Sequence, residues 1–171
     1  STIGLSKVEV LANRFRDINP EIRLHSLPIY LEDDEVGNLL GDDDVCQPKY
    51  SFIIDAIDTI APKCALITES IRRGIPIVSS MGAGAKSDIT QIRFADIWDT
   101  YHCGLAKAVR TRLKKAGIRK SLPVVFSTEQ ADRRAVISID GERNKKSTAG
   151  TISYMPAVFG CYLAEYVIRH I

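Results

Sequence analysis

Asp55 and Asp58 stand three positions apart, just after the short apolar run Ser51-Phe52-Ile53-Ile54. In an open α/β sheet, ligands bind beyond the carboxyl ends of the strands, so carboxylates placed there are the first candidates for chemistry. Asp58 has a second reading. It can cap a helix opening at Thr59 or Ile60, where a side-chain oxygen satisfies a free N–H. Further along, Met81-Gly82-Ala83-Gly84-Ala85 is a small-residue loop that lets a backbone approach a phosphate closely. The same two glycines also suit an ordinary tight turn, and the full dinucleotide fingerprint is absent. The most basic stretch holds Lys107, Arg110, Arg112, Lys114, Lys115, Arg119 and Lys120. Such a surface attracts a polyanion through counterion release, and it also serves as a plain solvated face.

Other reactive residue types are less informative. Glu32, Asp33, Asp34, Asp42, Asp43 and Asp44 cluster between Glu32 and Asp44, yet their spacing does not match a calcium loop, and a solvated surface is favoured. Cys46, Cys64, Cys103 and Cys161 are scattered and form no CxxC pair, which argues against a zinc site and a redox dithiol. Cys64 and Cys161 fall in apolar helical patterns and read as small buried hydrophobes. Cys103 lies beside His102 at the start of a helix, where a lowered thiol pKa is physically available. His25 reads as a solvated strand residue.

The elements that position these residues follow from periodicity. Ser51–Ile54 reads as a strand buried on both faces of a parallel sheet. A helix over Ile60–Arg73 puts Ile60, Lys63, Cys64, Ile67 and Ile71 on one side, has Pro62 in its first turn, and ends at Gly74. Ile75–Ser79 is a second parallel strand, completing a right-handed βαβ unit. Ahead of this unit, Val8, Leu11, Ala12, Phe15 and Ile18 form the core-facing side of a helix over Ser6–Ile18, stopped by Asn19-Pro20. Glu21–Leu31 alternates as a strand. Behind it, Gln91–Ile97 and Leu122–Thr128 are strands, and Cys103–Gly117 is a helix buried along Leu105, Ala106, Val109 and Leu113. Ala135–Ile139 is a strand and Gly141–Ser147 a charged loop. Ser153–Ile171 is a helix so broadly apolar, through Met155, Val158, Phe159, Tyr162, Leu163, Tyr166 and Val167, that the sheet or a second subunit must cover it.

The totals bound the class. A chain of 171 residues with 45% hydrophobic and 26% charged residues fits one globular α/β domain over 1–171 rather than a disordered one. No run of about 18 apolar residues marks a membrane span. Neither a secretory leader nor a disulfide framework is visible, so a reducing cytoplasmic setting is expected. A net charge of +2 names no partner by itself.

GLSKVEVLANRFRDINPEIRL, DAIDTIAPKCALI, IPIVSSMGAGAKSDITQIRFADI and VVFSTE, in that order, resemble the ThiF/MoeB/HesA-type adenylating proteins, and within them the tRNA threonylcarbamoyladenosine dehydratase branch. The resemblance implies a Rossmann-like open, mainly parallel sheet with flanking helices and an apolar C-terminal helix. It also implies an enzyme that uses ATP and Mg2+ to adenylate a carboxylate, here the threonylcarbamoyl group of a modified tRNA adenosine, which then cyclises. By position, Lys7 matches the family lysine on the ATP phosphates, and Asp58 the aspartate linked to the metal and ATP. The roles of Asp55 and Lys63 stay open. Arg110, Arg112, Lys114 and Lys115 become tRNA contacts, and the Gly-rich loop becomes a wall of the acceptor pocket. The apolar C-terminal helix, for its part, points to a homodimer. The family's opening strand, GxGGVGS loop, acidic ribose-binding residue and Asn-Arg-Gln segment have no counterpart before the first helix. The expectation is therefore an N-terminally truncated fold, half of a split nucleotide site, and a polypeptide that alone is a poor ATPase. Two alternatives remain: an adenylyltransferase for a ubiquitin-like sulfur-carrier protein, with a sulfur-transfer partner, or a non-catalytic dimerisation module. The missing zinc cysteines and the basic helix count against the former.

Overall fold

A computed structural model describes residues 2–41, 50–138 and 147–171. Asp42, Asp43, Asp44 and Cys46, the end of the expected strand at Ile139, and residues 141–146 of the expected charged loop lie outside the described residues. The chain divides into two compact units, Ser1–Leu31 and Glu32–Ile171.

The first unit holds helix α1, Lys7–Ile18, as the apolar periodicity implies. Asn19 closes it in an extended conformation, its N–H donating to the Phe15 carbonyl. Two expectations fail here. The side read as core-facing is largely exposed at Leu11, Phe15 and Ile18, and Ala12 is the one buried residue of the helix. Residues 20–31 are coil rather than a strand, with exposed His25, Leu27, Ile29 and Tyr30. Alternation alone cannot make a strand without a ladder partner, and Pro28 removes one of the donors a ladder needs.

The second unit runs α2 (Val36–Leu40), β1 (Ile53–Asp55), α3 (Ile60–Arg72), β2 (Ile77–Ser80), β3 (Ile92–Asp96), α4 (Gly104–Lys115), β4 (Pro123–Ser127), β5 (Val136–Ser138), β6 (Ser147–Ala149) and α5 (Tyr154–His170). Four strands form one sheet in the order β1-β2-β4-β3. β1, β2 and β4 are parallel, with Ile53 opposite Ile77 and Ser79 opposite Val124, and β3 runs antiparallel to β4. β5 and β6 pair as a separate antiparallel ribbon.

The βαβ unit forms because its signals agree. Pro62 lies in the first turn of α3, where no N–H is needed, and Gly74 takes a positive φ of 69° to leave the helix. α5 lies over one face of the sheet, where Met155, Phe159 and Leu163 meet Val78, Ile92 and Val125. Phe94 extends this contact to Tyr162 and Tyr166, at ring-centroid distances of 5.4 and 5.3 Å. The sheet therefore covers the apolar side of α5. Cys161 points the other way and is exposed, contrary to its reading as a buried hydrophobe, because it falls two residues from Phe159 and off that stripe. β1 likewise departs from burial on both faces: Ile54 is 50% exposed, although Phe52, two residues before it, packs on Tyr166 of α5. α3 and α4 pack together, burying Cys64, Leu66 and Ile67 of one and Ala106, Val109 and Leu113 of the other. Ile60 and Leu105 are less buried than the stripe reading implied.

Phe159 is 2% exposed at the centre of the α5 contact. Phe159→Ala is expected to cost about 3–5 kcal/mol through lost transfer energy and a residual cavity, measured as a lower urea midpoint at unchanged slope.

Candidate active site at the strand ends

Three parallel strands end side by side at Asp55, Ser80 and Ser127, and the polar residues of interest collect there. Asp55 is the last residue of β1 and is fully buried, with α3 passing over it. Its carboxylate Oδ2 lies 2.7 Å from the Lys63 ammonium, with neither side chain exposed to solvent. Ser79 Oγ donates to the same oxygen at 2.5 Å, and the Ile57 N–H donates to Oδ1 at 3.0 Å. Lys63 uses its remaining donors on the carbonyls of Ile57, at 2.9 Å, and Ser80, at 2.8 Å. All three ammonium hydrogens thus have acceptors, which is what a buried charge requires. One lysine ties together the end of β1, the turn after it, α3 and the end of β2. Asp55 is consequently occupied within the protein, and its role is to fix this corner.

Asp58 sits beyond that corner, exposed, in the turn between β1 and α3. The residue at the helix N-cap is Thr59, so Asp58 precedes the cap position instead of filling it. Lys7 is exposed at the first position of α1 and belongs to the other unit of the chain.

The Gly-rich loop is held rigidly from several sides. Met81 donates its N–H to the Val125 carbonyl, and Ala85, at a φ of 57°, donates to Gly150 while its own carbonyl accepts from Asp132. A Cβ on Gly84 would lie 2.8 Å from the Ala149 methyl, so glycine is required by the close approach of β6. A Cβ on Gly82 would touch Cys103 Sγ at 3.6 Å, placing the start of α4 against this loop.

Lys86, which periodicity did not single out, is a second buried lysine, 4% exposed, with its ammonium donating to the Ser127 carbonyl at 2.7 Å. Burial pushes its pKa below the ordinary lysine range, opposed by the charges of Cys103 and Glu129. Glu129 accepts from the N–H groups of Ser87, at 2.8 Å, and Asp88, at 2.9 Å, locking the loop to the end of β4. Nothing in the sequence around Lys86 flags it, because a lysine in a small-residue loop normally points to water. Lys63 did carry a signal, a charged residue in the middle of an apolar stripe.

The cysteines are now distinguishable. Burial pushes the Cys64 thiol up to about 11, so it stays protonated and inert. Cys103 is the N-cap of α4, its sulfur accepting from the Ala106 N–H at 3.5 Å. Among the described residues no group of three or more His, Cys, Asp and Glu side chains is arranged to hold a metal ion. Asp58 stands as a single exposed carboxylate, an oxygen donor of the type Mg2+ accepts.

The basic helix separates its cations. Arg110 is turned inward, donating to the Ile97 carbonyl and the Thr100 hydroxyl. Arg112 approaches Asp33, Lys114 lies over the Trp98 ring, and Lys115 is exposed.

Two predictions follow from the buried lysines. Lys63→Met leaves the Asp55 carboxylate buried without its counter-charge and is expected to cost about 3–5 kcal/mol by chemical denaturation, with the Asp55→Asn/Lys63→Met pair costing less than the sum of the singles. Lys86 binds its proton less tightly folded than unfolded, so the cost of burying it is present in full at low pH and fades as pH rises toward the ordinary lysine value of 10.5. The stability of the native sequence relative to Lys86→Met should therefore increase with pH over the alkaline limb, and a constant difference would contradict the shift.

Comparison with known proteins agrees with this architecture. The chain matches the ThiF family over residues 1–171. It is 34% identical to tRNA threonylcarbamoyladenosine dehydratase of Bacillus subtilis over 98% of this chain and 66% of that protein. The Escherichia coli protein of the same name is 40% identical over 74% of this chain and 48% of its own length. The crystal structure of that E. coli dehydratase in complex with ATP superposes with a TM-score of 0.82 at 33% identity, covering 98% of this chain and 64% of the other. The chain thus spans about half to two thirds of the length of these relatives. The ordered motifs, the strand order and the likeness along the whole chain together establish that it belongs to the ThiF family.

Proposed function

We propose that this chain is part of an ATP-dependent enzyme that adenylates the carboxylate of threonylcarbamoyladenosine in tRNA and closes it into a ring, with net loss of water. The observation that carries the reading is the likeness along 98% of the chain to an E. coli dehydratase solved with ATP. In such a reaction the substrate carboxylate attacks the α-phosphorus and pyrophosphate leaves. The ring then closes on the activated carbonyl carbon as AMP departs. The protein's task is to position the partners and neutralise the phosphate charge.

On this reading, the Asp58 carboxylate would hold a Mg2+ ion, which would supply positive charge to the phosphates, and the Lys7 ammonium would neutralise phosphate charge. Asp58 is supported by its exposure directly beyond a corner that Asp55 and Lys63 keep fixed. Asp55 acts as a positioning residue, because its carboxylate is fully engaged. The tRNA meets the basic helix α4, which carries Arg110, Arg112, Lys114 and Lys115. A homodimer in the cytoplasm completes the picture. Ile168, 79% exposed on the outer side of α5, supports the dimer.

ATP–pyrophosphate exchange by the full-length protein, with tRNA bearing threonylcarbamoyladenosine, tests the reading. Asp58→Ala is expected to lower exchange by at least about 100-fold with little change in stability, the scale of losing a transition-state charge contact. Exchange that survives the substitution removes Asp58 from the site. Exchange supported by a sulfur-carrier protein in place of tRNA moves the enzyme to the other branch of its family.

A further inference from the structure

Helix α4 carries cations in several directions, and the protein itself engages those on its flanks. On one side, Arg110 is bound to Thr100 and the Ile97 carbonyl, and the Lys114 ammonium lies 5.8 Å from the centre of the Trp98 ring. On the other, the Arg112 guanidinium lies 3.7 Å from the Asp33 carboxylate. Between these flanks run Lys107, Thr111 and Lys115, at four-residue steps and therefore on one face. All three are exposed, and among the described residues neither lysine makes an ion pair. The helix contains no Asp or Glu, and the Thr111 hydroxyl donates back to the Lys107 carbonyl. Gly104 and Ala108 keep the surface low beside them, leaving an open groove of about 510 Å3.

We propose that the Lys107–Thr111–Lys115 face of α4 is where the sugar–phosphate backbone of tRNA docks, a proposal that rests on the tRNA reading above. Two free ammonium groups on one face, on residues about 12 Å apart along the axis at 1.5 Å of rise per residue, can each meet a separate phosphate without breaking any internal contact. Recruiting Arg110 requires giving up Thr100 first, whereas Arg112 lines the same groove and is drawn aside only by a half-exposed contact with Asp33. Lysine acts here as a point charge, which suits contacts that position a nucleic acid without reading its bases. An acidic protein is the other polyanion to consider. Its interface would need a desolvated apolar or aromatic anchor, and the groove offers only glycine, alanine and threonine between its cations.

The test is a salt titration of unfractionated tRNA binding to the full-length protein, followed by fluorescence anisotropy. Lys107→Gln/Lys115→Gln is expected to weaken binding on the order of tenfold near 0.1 M salt and to flatten the log affinity versus log salt slope by about 1.4–1.8, which is two phosphate contacts. Lys107→Arg/Lys115→Arg should keep the native slope, and all variants should keep the native melting temperature. A slope unchanged in the glutamine pair, or a larger loss in Arg112→Gln/Lys114→Gln, overturns the assignment of this face while leaving the tRNA reading intact. Absence of tRNA binding by the native protein overturns both. Loss of affinity for an acidic sulfur-carrier protein, with tRNA affinity unchanged, assigns the face to a protein partner and overturns the proposal.

Discussion

The second unit of this protein depends on one buried charge pair. Asp55 and Lys63 are removed from water together, and the cost of desolvating them is met because every donor and acceptor is engaged: Ser79 and the Ile57 N–H on the carboxylate, the Ile57 and Ser80 carbonyls on the ammonium. The pair does what apolar side chains at the same places cannot. It sets the direction in which the chain leaves β1, the height of α3 above the sheet, and the register of β1 against β2, all from one point. The turn carrying Asp58 hangs from that point. Its carboxylate is then presented by backbone that the corner holds in place.

The Gly-rich loop is a second rigid body with its own lysine. Lys86 and Glu129 bind it to the end of β4, and Ala85, Gly84 and Asp132 bind it to the ribbon and the segment before it. Two buried lysines therefore serve adjacent corners of the same strand-end surface in different ways. Lys63 is paired with a carboxylate, whereas Lys86 rests on a carbonyl and is destabilised as a cation by burial. The first corner is a charge pair closed on itself, and the second holds a lysine whose burial weakens its hold on its proton.

Much of this was legible in the sequence where two signals coincided. The βαβ unit combines an apolar run, a 3.6-residue stripe, an early proline and a terminal glycine. Where only one signal existed, the outcome was mixed. Alternation over Glu21–Leu31 had no partner strand and gave coil, and the apolar face of α1 remained exposed at Leu11, Phe15 and Ile18. At the strand ends, position alone marks both aspartates, but Asp55 and Lys63 cannot be recognised as scaffold without knowing that their side chains meet. Lys86 was invisible, since its burial comes from segments more than 40 residues away. The basic helix was read correctly as basic, yet which of its cations are free depends on Thr100, Trp98 and Asp33, none of which a helical projection contains.

Gly84 has an evolutionary consequence. The distance from its absent Cβ to the Ala149 methyl leaves room for one methyl group between loop and ribbon, and that room is already taken by Ala149. Two stretches of chain separated by 65 positions are thus bound to vary jointly: a side chain can be gained at one only if it is surrendered at the other. Drift at the loop is closed off unless Ala149 becomes glycine, a change that would loosen a strand to relieve a turn. The ribbon, remote from the acidic corner in sequence and in chemistry, therefore constrains which loops this surface can ever acquire.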